Sequence, residues 1–353
     1  MPHILDKNYF RYNGRILMKE DTAFLGFTNS SIEFYVKRDG DCDSSKETLV
    51  TAQISSNSEI EVNQARLKVY VDGELAPIEP IVLDAPYKTY PIVTLNDGNP
   101  HRITIIKVTE AQMSYAQFHA IKVDNGSILP LPAQPDTRLK AEFIGDSITC
   151  GYGVLGEPHS EFHIREEDGE LSYAALTSKE LNLNARYTGV SGYGVYCEYT
   201  GNTKGTLPYV YPYTNYWVDQ ETLYDFHEFT PELVVLNLGT NDSRFLGDPS
   251  IQEKFIICYM DFLKLIRSKY PDAKLLCICG TLCTEAFPLI QKACDYLTDH
   301  GFKELYTLEL PYHNVEEDGQ ASEHPSLKTH QKDAARLIKK IKEIIPALQQ
   351  KET

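Results

Sequence analysis

A serine hydroxyl attacks poorly unless a base removes its proton, so a chain that uses one must bring an imidazole to it. In this sequence an apolar run, Ala141 to Ile144, leads directly into Gly145-Asp146-Ser147. That spacing puts Ser147 at the carboxyl end of a strand, where α/β sheets hold their ligands. A second apolar run, Leu233 to Leu238, ends in Gly239-Thr240-Asn241-Asp242, and Glu323-His324-Pro325-Ser326 precedes the last helical stretch. His324 is the candidate base, able to accept the serine proton and return it to a leaving alcohol. Nine other histidines compete, among them His159, His163, His227 and His330, the last read as helix surface. Gly-Asp-Ser alone is weak, since all three are ordinary turn residues. Three blocks in order, two of them at strand ends, carry the signal.

The elements that must position these residues fall into two regions. Up to about Val123 the pattern is β: Ser31–Lys37, Arg66–Val71 before the hairpin dipeptide Asp72-Gly73, His101–Val108 and Gln117–Val123. Short strands with frequent turns predict an antiparallel sandwich of jelly-roll type. Pro130, Pro132 and Pro135 then mark an extended linker, and the boundary is placed near residue 130, giving domains 1–130 and 131–353. Beyond it, strands at Ala141–Ile144, Ala185–Thr188, Leu233–Leu238, Lys274–Cys279 and Glu304–Leu308 alternate with helices. The helices are expected at Ser172–Leu181, Ile251–Tyr270, Phe287–His300 and Lys328–Leu348, the last with Ala334, Leu337, Ile338 and Ile341 at helical spacing. This alternation predicts a parallel sheet covered by helices on both faces, a three-layer α/β/α domain.

The 353 residues are many for one core. A formal net charge of −16 argues against nucleic acid and against an anionic membrane surface as partners. No apolar stretch is as long as a membrane span, and no signal peptide is visible. The eight cysteines form no C-x-x-C pair and several sit inside apolar runs, as in Leu275-Leu276-Cys277-Ile278-Cys279. They read as small buried hydrophobes rather than a disulfide framework or zinc site, and the expected compartment is the reducing cytoplasm.

Taken together, the Gly-Asp-Ser, Gly-Thr-Asn-Asp and His-Pro-Ser blocks resemble the SGNH (GDSL-type) hydrolases over roughly Leu139 to the C-terminus. The β-region followed by Gly145-Asp146-Ser147-Ile148-Thr149-Cys150-Gly151-Tyr152-Gly153, with Leu171–Leu176 and His324–His330, is similar to the family 2 carbohydrate esterases. The resemblance implies Ser147 as nucleophile and His324 as base. It also implies an oxyanion hole from the Ser147 N–H, the Gly192 N–H in Gly189-Val190-Ser191-Gly192, and the Asn241 amide. Gly189 and Gly194 are near enough to compete with Gly192. The implied activity is removal of O-acetyl groups from mannan, glucomannan or xylan poly- or oligosaccharides through an acetyl-enzyme, with no metal or organic cofactor. A lysophospholipase or thioesterase, or a non-catalytic sugar-binding protein, are the alternatives.

The chain departs from the family beside the histidine. Many members carry an aspartate three residues before it, and some two before, where Ala321 and Ser322 stand here. The imidazole is therefore expected to be held by a backbone carbonyl near Ser322, or by Asp318 or Glu323 folding back. Gly151-Tyr152-Gly153-Val154-Leu155-Gly156 matches the dinucleotide fingerprint, but it follows the Gly-Asp-Ser turn rather than a strand and reads as a loop beside the nucleophile. The stretch Tyr193 to Trp217 holds seven tyrosines and the only tryptophan. Its aromatic faces suit sugar rings or interface packing, and Trp217 is the substrate-binding candidate.

Overall fold

The computed structural model describes residues 2–40, 47–133, 135–158 and 161–349, so His159 lies outside the described residues. The chain divides into two compact units, Met1–Asp136 with Trp217–Thr222, and Thr137–Tyr216 with Leu223–Thr353.

In the first unit the strands alternate between buried and half-exposed residues, the period of a sheet with one face on a core. Ser30–Arg38 buries Ile32, Phe34 and Val36, and Thr48–Ser55 buries Val50, Ala52 and Ile54. One antiparallel sheet runs Arg11–Asn13, Ser30–Arg38, His101–Lys107, Arg66–Val71, Glu74–Leu75, and the other Ile16–Lys19, Thr22–Leu25, Ala116–Asp124, Thr48–Ser55, Tyr87–Leu95. Inward residues of both sheets form one core, which makes the unit a sandwich. Asp72 and Gly73 take positive φ between paired Tyr70–Leu75 and Val71–Glu74, as a two-residue hairpin turn requires. The strands Arg11–Asn13, Ile16–Lys19, Thr22–Leu25, Thr48–Ser55, Glu74–Leu75 and Tyr87–Leu95 go beyond the four that the sequence pattern predicts. Tyr87–Leu95 carries Pro91 and lies at the sheet edge, where a missing N–H is tolerated. The chain stays with this unit beyond residue 130, since the Leu131 N–H donates to the Asn8 carbonyl at 2.7 Å.

The second unit holds a parallel sheet ordered Asn184–Gly189, Lys140–Gly145, Leu233–Asn237, Lys274–Thr281, Leu305–Tyr312. Leu233–Asn237 is buried throughout, as a strand covered on both faces must be. Helices Tyr173–Glu180 and Leu327–Ile344 pack on the face that carries Ala141, Phe143, Val235 and Ile278. On the other face Glu142 meets Tyr211, whose ring stands edge-on to Phe262 of the helix Pro249–Lys269. In chain order the strands run 2-1-3-4-5, so the order reverses between Lys140–Gly145 and Leu233–Asn237. Ligands bind at the carboxyl ends of strands at such a reversal, and these two strands lead into Ser147 and Asn241. Among the described residues no helix is long and apolar enough to cross a membrane.

The last helix begins where the Ser326 hydroxyl accepts the Thr329 N–H, and it buries Ala334, Leu337, Ile341 and Ile344. His330 corrects the sequence reading. It is fully buried, not on the surface, and its Nδ1 accepts the Tyr173 N–H at 3.1 Å. Positions 330, 334, 337 and 341 share one helix face, so the periodicity already contained this placement. Burial pushes the His330 pKa down to about 3. Leu337→Ala removes a wholly buried side chain from this core and should cost about 3 kcal/mol in urea unfolding. Lys339→Ala, on the exposed face, should stay within about 0.5 kcal/mol.

Candidate active site

The turn that carries Ser147 is made by local capping. Asp146 adopts an extended backbone, and its carboxylate accepts the Ile148 N–H at 3.0 Å, starting the short helix Ser147–Cys150. The first N–H groups of a helix have no acceptor within it, and that of Ser147 is one of them. Burial pushes the Asp146 pKa up to about 7.

Ser147 and His324 meet. The imidazole Nε2 lies 2.9 Å from the Ser147 hydroxyl, and Nδ1 lies 3.1 Å from the Ser322 carbonyl. A carbonyl only accepts, so its partner Nδ1 carries the hydrogen, and the Nε2 lone pair is left facing the Ser147 hydroxyl. Of the acceptors weighed from sequence, the structure puts a backbone carbonyl at Nδ1. Asp318 is occupied elsewhere, with Lys332 at 2.7 and 2.8 Å and Lys328 at 3.2 Å, and these lysines hold its pKa low. Glu323 is exposed. Burial lowers the His324 pKa, opposed by the Ser322 carbonyl and the charge of Glu323, while His313 pushes it down further.

Asn241 lies on the turn Thr240–Ser243 that follows the Leu233–Asn237 strand. Its amide nitrogen is 3.1 Å from the Tyr193 carbonyl and 3.4 Å from the Asp146 carboxylate, which places it beside the nucleophile turn. Gly192 has φ +79°, and a Cβ there would sit 2.9 Å from the Tyr199 ring. A side chain is excluded on both counts. Its carbonyl accepts the Tyr199 N–H at 2.9 Å, while the Val190 N–H donates to the Gly145 carbonyl at 3.0 Å, tying this loop to the nucleophile strand.

Sequence reasoning missed Asp242. Its buried carboxylate accepts the N–H groups of Val195, Tyr196 and Cys197 at 2.8–3.0 Å and so shapes the loop after Gly192. Burial raises its pKa, against these three donors. Its place in Gly-Thr-Asn-Asp was visible, but a carboxylate that serves a loop 45 residues away has no local signature. Gly151 ends the short helix at φ +75° and no helix opens after it, which excludes the dinucleotide reading of the glycine motif.

The aromatic stretch is part cluster, part surface. Tyr216 stands edge-on to Tyr209 and Tyr213, with centroids 5.6 and 5.2 Å away, and Tyr199 and Tyr209 are about half exposed. Trp217 belongs to the segment grouped with the first unit, edge-on to Phe27 at 6.1 Å. In the same segment Asp219 pairs with Lys19 at 2.7 Å.

Residues 143–301 match the GDSL-like lipase/acylhydrolase family, and residues 12–132 match the carbohydrate esterase 2 N-terminal family. The cellulase/esterase CelE of Acetivibrio thermocellus is 33% identical over 77% of this chain and 33% of its own length. An acetylxylan esterase / glucomannan deacetylase of Cellvibrio japonicus is 31% identical over 56% of this chain and 57% of its own. The chain thus spans a third to somewhat over half of these curated relatives. A family two carbohydrate esterase from Clostridium thermocellum, solved in complex with cellohexaose, superposes with a TM-score of 0.83 at 29% identity, covering 96% of this chain and 99% of that one. An acetyl xylan esterase from the rumen bacterium Butyrivibrio proteoclasticus shares the fold, with a TM-score of 0.83 at 21% identity over 97% of each chain. With both family models matched in order, the chain belongs to the GDSL-type hydrolases and has the two-domain build of the family 2 carbohydrate esterases.

Proposed function

We propose that the protein is a carbohydrate O-acetyl esterase acting on plant-derived poly- or oligosaccharides of the mannan, glucomannan or xylan type. The observation that carries this reading is the 2.9 Å contact between Ser147 Oγ and His324 Nε2, with Nδ1 tied to a carbonyl. The names of the relatives, acetylxylan esterase and glucomannan deacetylase, support the substrate class.

Ser147 Oγ attacks the acetyl carbonyl carbon while Nε2 takes its proton. The carbonyl oxygen, now an anion, sits among the Ser147 N–H, the Gly192 N–H and the Asn241 amide. The longer contact of that amide, 3.4 Å to Asp146, is the one an oxyanion competes with most easily. Collapse breaks the bond to the sugar oxygen, which leaves with the proton from Nε2. A water activated by the same nitrogen then releases acetate and restores Ser147. The tyrosines around Tyr199 and Tyr209 offer flat, half-exposed faces for sugar C–H surfaces. Free thiols at Cys197, Cys258, Cys277, Cys279, Cys283 and Cys294 support a reducing, cytoplasmic setting.

Mass spectrometry of acetylated manno- and xylo-oligosaccharides should show loss of acetyl groups with the wild type. Ser147→Ala should reduce turnover by at least about 10³-fold. Unchanged masses with both sugar series, or a preference for p-nitrophenyl octanoate over the acetate, would remove the acetyl reading.

His324 must be neutral to act, and burial holds its pKa below the ordinary 6.5. Activity is therefore present above that pKa and lost as pH falls through it. Asp146, at about 7, titrates nearby, and Asp146→Asn removes that second group. In this variant kcat/KM for p-nitrophenyl acetate should rise through one midpoint below 6.5, and a midpoint above it would rule His324 out as the base. Because the carbonyl orients the ring, Asp318→Ala and Glu323→Ala should keep kcat within about threefold of wild type. An orienting carboxylate would instead cost about 10⁴ when lost.

A further inference from the structure

The carbonyl that orients the base sits on a turn that is not stable by itself. Gln320–Ala321 and His324–Pro325 pair as a two-residue hairpin, with Ala321 opposite His324. The two turn residues, Ser322 and Glu323, have φ of +43° and +59°. Such turns normally use Asn-Gly, because an L side chain disfavours the left-handed region. Something outside the hairpin must hold it in place.

That support comes from Glu166. The Ser322 hydroxyl donates to the Glu166 carboxylate at 2.7 Å, and the bond is buried. The same carboxylate oxygen accepts the His163 N–H at 3.2 Å, which closes a cap around Ile164–Glu166 and fixes the acid itself. The glycine motif makes the approach possible. A Cβ on Gly156 would come within 2.5 Å of the Ser322 hydroxyl and 2.9 Å of the Glu166 carboxylate, and one on Gly153 within 2.9 Å of the Ser322 Cβ. From the same side, Tyr152 lies against the His324 ring at 4.4 Å and stacks on Phe162 at 3.7 Å.

We propose that Glu166 is a positioning residue for the base, gripping the Ser322 hydroxyl so that the Ser322 carbonyl stays aimed at Nδ1 of His324. It acts through the turn and touches neither substrate nor imidazole. Gly153 and Gly156 keep the space it needs. This rests on the reading of Ser147 and His324 as nucleophile and base.

The test measures p-nitrophenyl acetate turnover per active site, with sites counted by fluorophosphonate labelling of Ser147 run to completion. Glu166→Ala and Ser322→Ala should each lower kcat about 10- to 100-fold, the scale of a misplaced catalytic group, with little change in KM. Since both break one contact, the double variant should be no slower than the slower single one. Glu166→Gln, whose amide oxygen still accepts the hydroxyl, should restore kcat to within about threefold of wild type. A merely structural role would lower the number of labelled sites or the melting temperature and leave kcat per site unchanged, which would overturn the proposal, as would losses that multiply in the double variant. If Glu166→Ala does not fold, the smaller change Ser322→Ala decides by the same criterion. Full turnover in Ser147→Ala would sink the nucleophile reading itself. An inactive Ser147→Ala beside a fully active Glu166→Ala would sink the Glu166 proposal alone.

Discussion

One hydrogen bond, between residues 177 positions apart in the chain, is what the second unit is built to hold. Proton transfer from a hydroxyl to an imidazole needs the two heavy atoms about 2.6–3.2 Å apart, and neither residue supplies that placement alone. On one side, Ser147 is fixed by a strand paired on both edges and by the Asp146 cap. On the other, His324 rides a two-residue hairpin at the foot of the last helix, whose apolar face is anchored in the core. Loss of either support moves one partner, and the bond is too short-ranged to follow.

The carboxylates near the site are spent on backbone and loops rather than on the imidazole. Asp146 starts the nucleophile helix, Asp242 gathers three N–H groups of the loop after Gly192, and Glu166 takes the Ser322 hydroxyl. Asp318 is neutralised by two lysines. With a carbonyl at Nδ1, the imidazole is oriented by a dipole rather than an ion. A dipole sets the tautomer but stabilises an imidazolium less than a full charge would, and burial outweighs it to lower the His324 pKa.

The arrangement of strands explains why serine, glycine and asparagine come from three separate blocks. Gly145 pairs with Gly189 on one side and Asn237 on the other, so three consecutive strand ends open onto the same rim. Any residue within a few positions of those ends reaches the same space. Short motifs far apart in sequence are thereby brought to one rim.

What is local can be read along the chain. Strand periods, the proline linker, the amphipathic last helix, and the placement of Ser147 and Asn241 just past strand ends all follow from neighbours a few residues apart. Whatever depends on two distant segments touching is set by the fold. Which acceptor holds Nδ1, that His330 is buried against the Tyr173 N–H, that Asp242 serves residues 195–197, and that a nucleotide-like glycine motif makes room for the His324 hairpin are all of this kind. The physical reason is that burial and hydrogen bonding are set by what packs alongside, and no window along one chain contains both partners.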